Sequence, residues 1–314
     1  MAKPPARKST TKTANRGAPG GARAASGRPA GLFTWVAIGL VLVVIVVLVV
    51  IKVTSSSSPN TPTGDQPTSA AMVKELTQIP ASVFNAVGVG SPAIGITAPT
   101  SLKNQPVLNW PDAQGVKRPT IFYFGAEYCP FCAAERWPMI IALSRFGTFS
   151  GLTNTQSSGT DLFKDTPTFS LAKATYTSKY INFFPVEFAS NIPAHNKYGY
   201  TVLDKPTKAE LALVDKYDNA TYVPGLNGAG SIPFITINNK YLVVGASYSP
   251  SALENTTRDA IASGLNDSSD LLTKGIITSA NLFTAAVCQA TGDQPASVCT
   301  STGVKAALKV LTTR

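Results

Sequence analysis

The chain predicts an α/β fold, and three observations carry that reading. An apolar run rich in β-branched and aromatic residues at 119–125 passes through a short turn into a helical pattern at 130–146. Two further strand-like runs, 233–238 and 240–245, are joined by Asn238-Asn239, a hairpin turn signal. Helical patterns at 206–217 and 250–264 precede and follow that hairpin, so strands and helices alternate along the chain.

Taken in order, residues 71–118 alternate apolar pieces with Pro and Gly and form an N-terminal extension, with a short strand at Val107–Trp110 leading to a turn at Pro111–Gly115. The strand at 119–125 then enters the helix 130–146, which Pro138 should kink and Gly147 should end. Trp137, Ile140, Ile141, Leu143 and Phe146 on this helix are expected in the core. Strands near 168–176 and 181–188 follow, the stretch 148–180 being longer than a minimal connection and therefore an internal extension. After the helix at 206–217 and the hairpin, Ser249, Pro250 and the Ser251-x-x-Glu254 box start the helix 250–264. Without the extra strand near 168 the order is β-α-β-α-β-β-α, that of the thioredoxin fold. The expected core is 119–265, followed by a helical C-terminal extension at 266–314.

The first 70 residues have a different character. Residues 1–30 carry seven cations and no acid among Gly, Ala, Ser, Thr and Pro, too little apolar surface to offset the entropy of ordering, and read as a disordered basic tail. Leu32–Ile51 is a nearly unbroken apolar run of twenty residues. As a helix it would be about 30 Å long, enough to cross a bilayer, and it exceeds the apolar core of a cleaved signal. A single transmembrane helix at 31–52 is expected, followed by a flexible linker at 53–70 rich in Ser, Thr and Pro. Cations precede the span and only Lys52 flanks its far side, which puts the N-terminus in the cytoplasm and the globular part outside. The formal charge of +10 is thus topological: beyond Lys52, nineteen cations face seventeen acids. Nothing else in the chain supports nucleic-acid binding.

Thiol chemistry is concentrated at Cys129-Pro130-Phe131-Cys132. With Cys129 at the helix N-cap, Pro130 occupies the first helical position, where its missing N–H costs nothing. The Cys129 sulfur would face unpaired backbone N–H groups and the positive end of the helix dipole, which lowers the thiol pKa and makes Cys129 the nucleophile. Cys132, on the same side of the first turn, is placed to resolve a mixed disulfide. Glu127 and Tyr128 read as exposed turn residues that edge the site.

Cys288 and Cys299 form the second pair, and outside the cytoplasm an even cysteine count points to disulfides. A structural bridge here would contribute on the order of 3 kcal/mol; the other reading is an electron shuttle to Cys129 and Cys132. Ten residues between Cys288 and Cys299 is not a zinc spacing, and His195 is the only histidine, so no metal or other cofactor is expected.

The run Phe122–Trp137, with Ile232-Pro233-Phe234 and the late Cys288 to Cys299 segment, resembles the prokaryotic domain of unknown function 929 family. That resemblance implies a membrane-anchored or exported protein with a thioredoxin-like core over roughly residues 70–314. The Cys-Pro-Phe-Cys site also looks like those of glutaredoxins and periplasmic disulfide oxidoreductases. By that analogy Cys129 attacks, Cys132 resolves, and Ile232-Pro233, at the place where such folds carry a cis-proline, docks the substrate. Pro-Phe replaces the Gly-Pro of thioredoxin between the cysteines, and Tyr128 replaces the preceding Trp, leaving the redox direction open.

The expectation is a membrane-tethered extracytoplasmic thiol-disulfide oxidoreductase. Its partners would be thiols or disulfides of exported proteins and a redox partner that resets the pair. The alternative is a non-catalytic thioredoxin-fold binding or scaffold protein of the cell envelope with structural disulfides.

Overall fold

The computed structural model describes residues 66–90, 95–226 and 230–313. The basic tail, the apolar span Leu32–Ile51 and the linker up to residue 65 lie outside the described residues. The N-terminal part contributes β1 (Gln66–Pro67), α1 (Ala70–Thr77), α2 (Ala81–Val87) and β2 (Thr100–Ser101). Next come β3 (Thr120–Gly125) and α3 (Pro130–Leu143), then β4 (Gly147–Ser150), β5 (Thr153–Gln156), β6 (Pro167–Ser170) and β7 (Thr175–Ser178). They are followed by β8 (Asn182–Glu187), β9 (Ala189–Pro193), β10 (Tyr200–Val202) and α4 (Lys208–Tyr217). The hairpin β11 (Phe234–Ile237) and β12 (Tyr241–Val244) leads to α5 (Arg258–Gly264), α6 (Leu271–Thr291), α7 (Ala296–Cys299) and α8 (Thr302–Thr312).

Five strands form the main sheet in the order β2-β12-β11-β3-β8, with β3 parallel to β8 and the other pairs antiparallel. Alternation along each strand sends neighbouring residues to opposite faces. Ile121, Tyr123, Ile235, Ile237 and Val243 join a core with α3 and α6, whereas Phe122, Phe234 and Leu242 join a second core with Val214 and Tyr217 of α4. The result is a mixed α/β fold with helices on both faces of the sheet. The β11–β12 turn has positive φ at both central residues, Asn238 (52°) and Asn239 (51°), which Asn tolerates and a two-residue hairpin requires.

Several elements differ from the sequence reading. Gln66 and Pro67 pair with Asn154 and Thr153 of β5, so the linker does not extend to residue 70. Val107–Trp110 is not a strand. Leu108 N donates to Asn238 Oδ1 at 2.9 Å and Trp110 N to Thr120 Oγ1 at 2.8 Å, so side chains satisfy backbone groups that a ladder would otherwise pair. The strand expected at 168–176 is two, β6 and β7, which pair with β5 and β4 respectively in small sheets apart from the main one. The helix expected at 250–264 breaks in two: Pro250–Leu253 is a single 3-10 turn, Asn255 takes φ 59°, and Thr257 caps α5 anew by accepting from Ala260 N.

Pro138 sits within α3 and deprives the Ala134 carbonyl of its helical donor. The Tyr248 hydroxyl supplies the missing bond at 3.0 Å. Among the described residues α6 is the one helix long and apolar enough to cross a membrane, but its side chains from Gly275 to Cys288 are buried. It is the core helix of the fold, packed on α3 and α8. Cys288 at its end is disulfide-bonded to Cys299 in α7, tying the C-terminal segment to the core.

Candidate active site

The antiparallel register Phe234↔Phe124 sets the start of β11 beside the end of β3, so two segments a hundred residues apart meet where these interior strands end. One is the turn into α3. Cys129 is its N-cap, with Pro130 at the first helical position, and the Cys129 Sγ accepts a hydrogen bond from Cys132 N at 3.3 Å. The other is Ser231–Pro233, whose Ile232-Pro233 peptide is cis. The Ile232 carbonyl accepts from the Cys129 thiol at 3.6 Å. Both cysteines are free thiols; Cys129 is 5% exposed and Cys132 fully buried.

Their surroundings drive the two thiols apart in acidity. The Cys132 side chain, its backbone N–H and the Arg136 charge lower the Cys129 pKa, the first being the largest influence, against the opposing effect of burial. Burial and the neighbouring Cys129 push Cys132 well above the usual thiol range. One thiol is thereby favoured to ionise and the other to stay protonated.

Beneath the pair lies a polar centre that sequence reading missed. Arg136 and Glu187 are both fully buried and joined by two bonds of 2.7 Å, Nε to Oε1 and Nη2 to Oε2, while Nη2 also donates to the Ala126 carbonyl at 2.8 Å. Burial works against the guanidinium charge, but Glu187 outweighs it and holds Arg136 protonated. Tyr123 and Cys132 crowd the end of β3, where a side chain on Gly125 would overlap the Tyr123 hydroxyl and approach Cys132 Sγ to 3.0 Å. Glycine at 125 is what allows Cys132 to pack there. The available signal was Glu135-Arg136, two charges inside an otherwise apolar stretch of helix.

Glu135, on the same helix, is also buried and accepts from Ser247 N at 2.7 Å and Ser247 Oγ at 3.1 Å. Burial raises its pKa to about 7 despite these bonds. A carboxyl whose folded pKa exceeds its unfolded value binds an extra proton in the native state between the two, so its stability contribution is lost as pH rises toward 7. Glu135→Gln should therefore flatten the fall in stability between pH 5 and 7 by a slope approaching about 1.4 kcal/mol per pH unit. Glu187, whose pKa burial raises against the opposing charge and hydrogen bonds of Arg136, is unchanged in this variant and keeps its own contribution. Urea midpoints across that pH range check this, and parallel curves for both proteins would refute it.

The internal extension and β10 frame the site. Ser158 N donates to the Tyr128 carbonyl at 2.8 Å, Tyr200 stacks on Tyr128 with ring centroids 4.4 Å apart, and Phe163 meets Phe131 edge-on at 5.9 Å. Glu127 is buried and Tyr128 half-buried, a correction to their reading as exposed turn residues. Phe131, two residues after Cys129, is 39% exposed and presents apolar surface at the start of the helix. His195 lies exposed on the β9–β10 loop, and no group of metal-ligating side chains occurs among the described residues.

Fold and site together define a mixed α/β protein with a dithiol at a helix start, where the interior strand β3 ends. The family described as Domain of unknown function (DUF929) matches residues 111–289, more than half of the chain, and the chain belongs to that family. The match takes in Cys129, Cys132, Ile232, Pro233 and Cys288 but stops before Cys299, and is shorter than the 70–314 expected. No curated protein and no solved structure matches the chain.

Proposed function

We propose that this chain is a membrane-tethered thiol-disulfide oxidoreductase with a thioredoxin-like core, acting outside the cytoplasm on cysteines of exported proteins. The observation that carries the reading is the Cys129 sulfur at a helix N-cap, contacted by Cys132 N–H and facing the Ile232 carbonyl. The order β3-α3-β8-α4-β11-β12-α5 supports the fold assignment. The basic tail and the twenty-residue apolar run Leu32–Ile51 support the tether and its orientation.

In the reductive direction, the Cys129 thiolate attacks one sulfur of a substrate disulfide, forming a mixed disulfide and expelling the other sulfur as a thiolate that takes up a proton. Cys132 loses its proton and attacks the Cys129 sulfur, releasing the second substrate thiol and leaving Cys129–Cys132 oxidised. Two electrons and two protons pass to the substrate, and the reverse sequence oxidises a dithiol. The backbone at Ile232, just ahead of β11, would pair with the substrate backbone, and the exposed Phe131 suits an apolar side chain flanking its cysteine. A second redox protein must reset the pair.

Cys132→Ser in the full-length protein should stall the reaction after the first step. Mixed disulfides between Cys129 and exported proteins should accumulate, run as larger species without reductant, and vanish with dithiothreitol. Absence of any Cys129-linked species would count against the proposal.

A further inference from the structure

We propose that the cavity at Arg145 is a binding site for a small aliphatic carboxylate. Arg145 follows α3, at the opposite end of that helix from Cys129, and its guanidinium faces a cavity of about 180 Å³ between α1, α2, α3 and the disulfide-bonded C-terminal segment. Among the described residues no acid pairs with it. Its bonds are long and to neutral acceptors: Nη1 to Asn281 Oδ1 and Thr284 Oγ1 at 3.4 Å each, Nη2 to Ser301 Oγ at 3.5 Å. The Phe84 ring covers one face of the guanidinium at 4.2 Å and leaves its in-plane donors with those three long bonds alone among the described residues.

Fully buried Arg136 and half-buried Arg258 are satisfied differently from the half-buried Arg145. Arg136 has a bidentate carboxylate at 2.7 Å, and Arg258 donates to the carbonyls of Thr168 and Thr155 at 2.8 and 2.5 Å. At Arg145 the cavity takes the place of such a partner. The dipole at the C-terminal end of α3 offsets part of the charge but supplies no acceptor in the plane of the fork. A carboxylate fits that plane with two parallel bonds. The apolar wall of Leu76, Ile79, Phe84, Ile141 and Val298 suits a short alkyl chain and disfavours a fully hydrated anion such as phosphate. A ligand here would join the N-terminal helices, the far end of the cysteine helix and the segment holding Cys299.

The test is thermal unfolding of the full-length protein in detergent, with sodium butyrate as probe and sodium chloride or phosphate at matched ionic strength and pH. Butyrate should raise the wild-type Tm saturably by about 3 °C, chloride and phosphate should not, and Arg145→Gln should lose the response. Should that variant fail to fold, Ala81→Leu, which enlarges a side chain lining the cavity and keeps the arginine, should weaken it. No saturable shift in wild type, the same shift with chloride or phosphate, or an intact butyrate response in either folded variant would overturn the site. The site stands independently of the redox proposal.

Discussion

Replacing Arg136 by Met is expected to destabilise the protein by about 3–5 kcal/mol, because it leaves the Glu187 carboxylate fully buried without its cation. The same change removes the donor to the Ala126 carbonyl, in the turn that leads to Cys129. Arg136→Met with Glu187→Leu should recover most of the loss, since an apolar pair of similar volume avoids the desolvation cost of both ions. Denaturant midpoints of the two variants measure the coupling directly. A single mutant as stable as wild type would show that the pair is not the structural centre described. The single mutant should also require higher pH for alkylation of Cys129, because Arg136 is among the groups that lower that thiol's pKa.

The second large effect is expected at Cys129 itself. Cys129→Ser should reduce thiol-disulfide exchange to the background rate while leaving the fold intact, because the alcohol does not ionise near neutral pH and the N-cap position suits Ser as well as Cys. Insulin reduction and refolding of a scrambled disulfide substrate, run with equal amounts of folded protein, provide the readout. Undiminished turnover in this variant would remove Cys129 from the chemistry.

The parts of the fold legible in the sequence are those with strong local signals. The strand-turn-helix at Thr120–Leu143, the hairpin at Asn238-Asn239 and the capped helix at Lys208–Tyr217 each carry their own periodicity and turn chemistry. The misread parts depend on distant partners. Val107–Trp110 has strand-like composition, yet Asn238 and Thr120 take its backbone groups. The run at 168–176 looked continuous because its turn, Leu171–Ala174, contains no Gly or Pro. At the site, the Cys129 and Cys132 pair was visible from spacing, and Ile232-Pro233, singled out by analogy, is set beside Cys129 by the fold. The Arg136–Glu187 pair was not, since its two halves lie fifty-one residues apart and neither carries a motif. Glu135 likewise meets Ser247 only through the fold.

The most direct measurement is a glutathione redox titration of the full-length protein, following each cysteine by differential alkylation and mass spectrometry. Cys129 and Cys132 should convert together as one two-electron couple while Cys288–Cys299 stays oxidised. A midpoint of about −120 to −180 mV would place the protein among disulfide donors and isomerases, and one near about −270 mV among reductases. A Cys129/Cys132 pair that does not exchange at any poise would contradict the account and leave a non-catalytic binding or scaffold protein in its place.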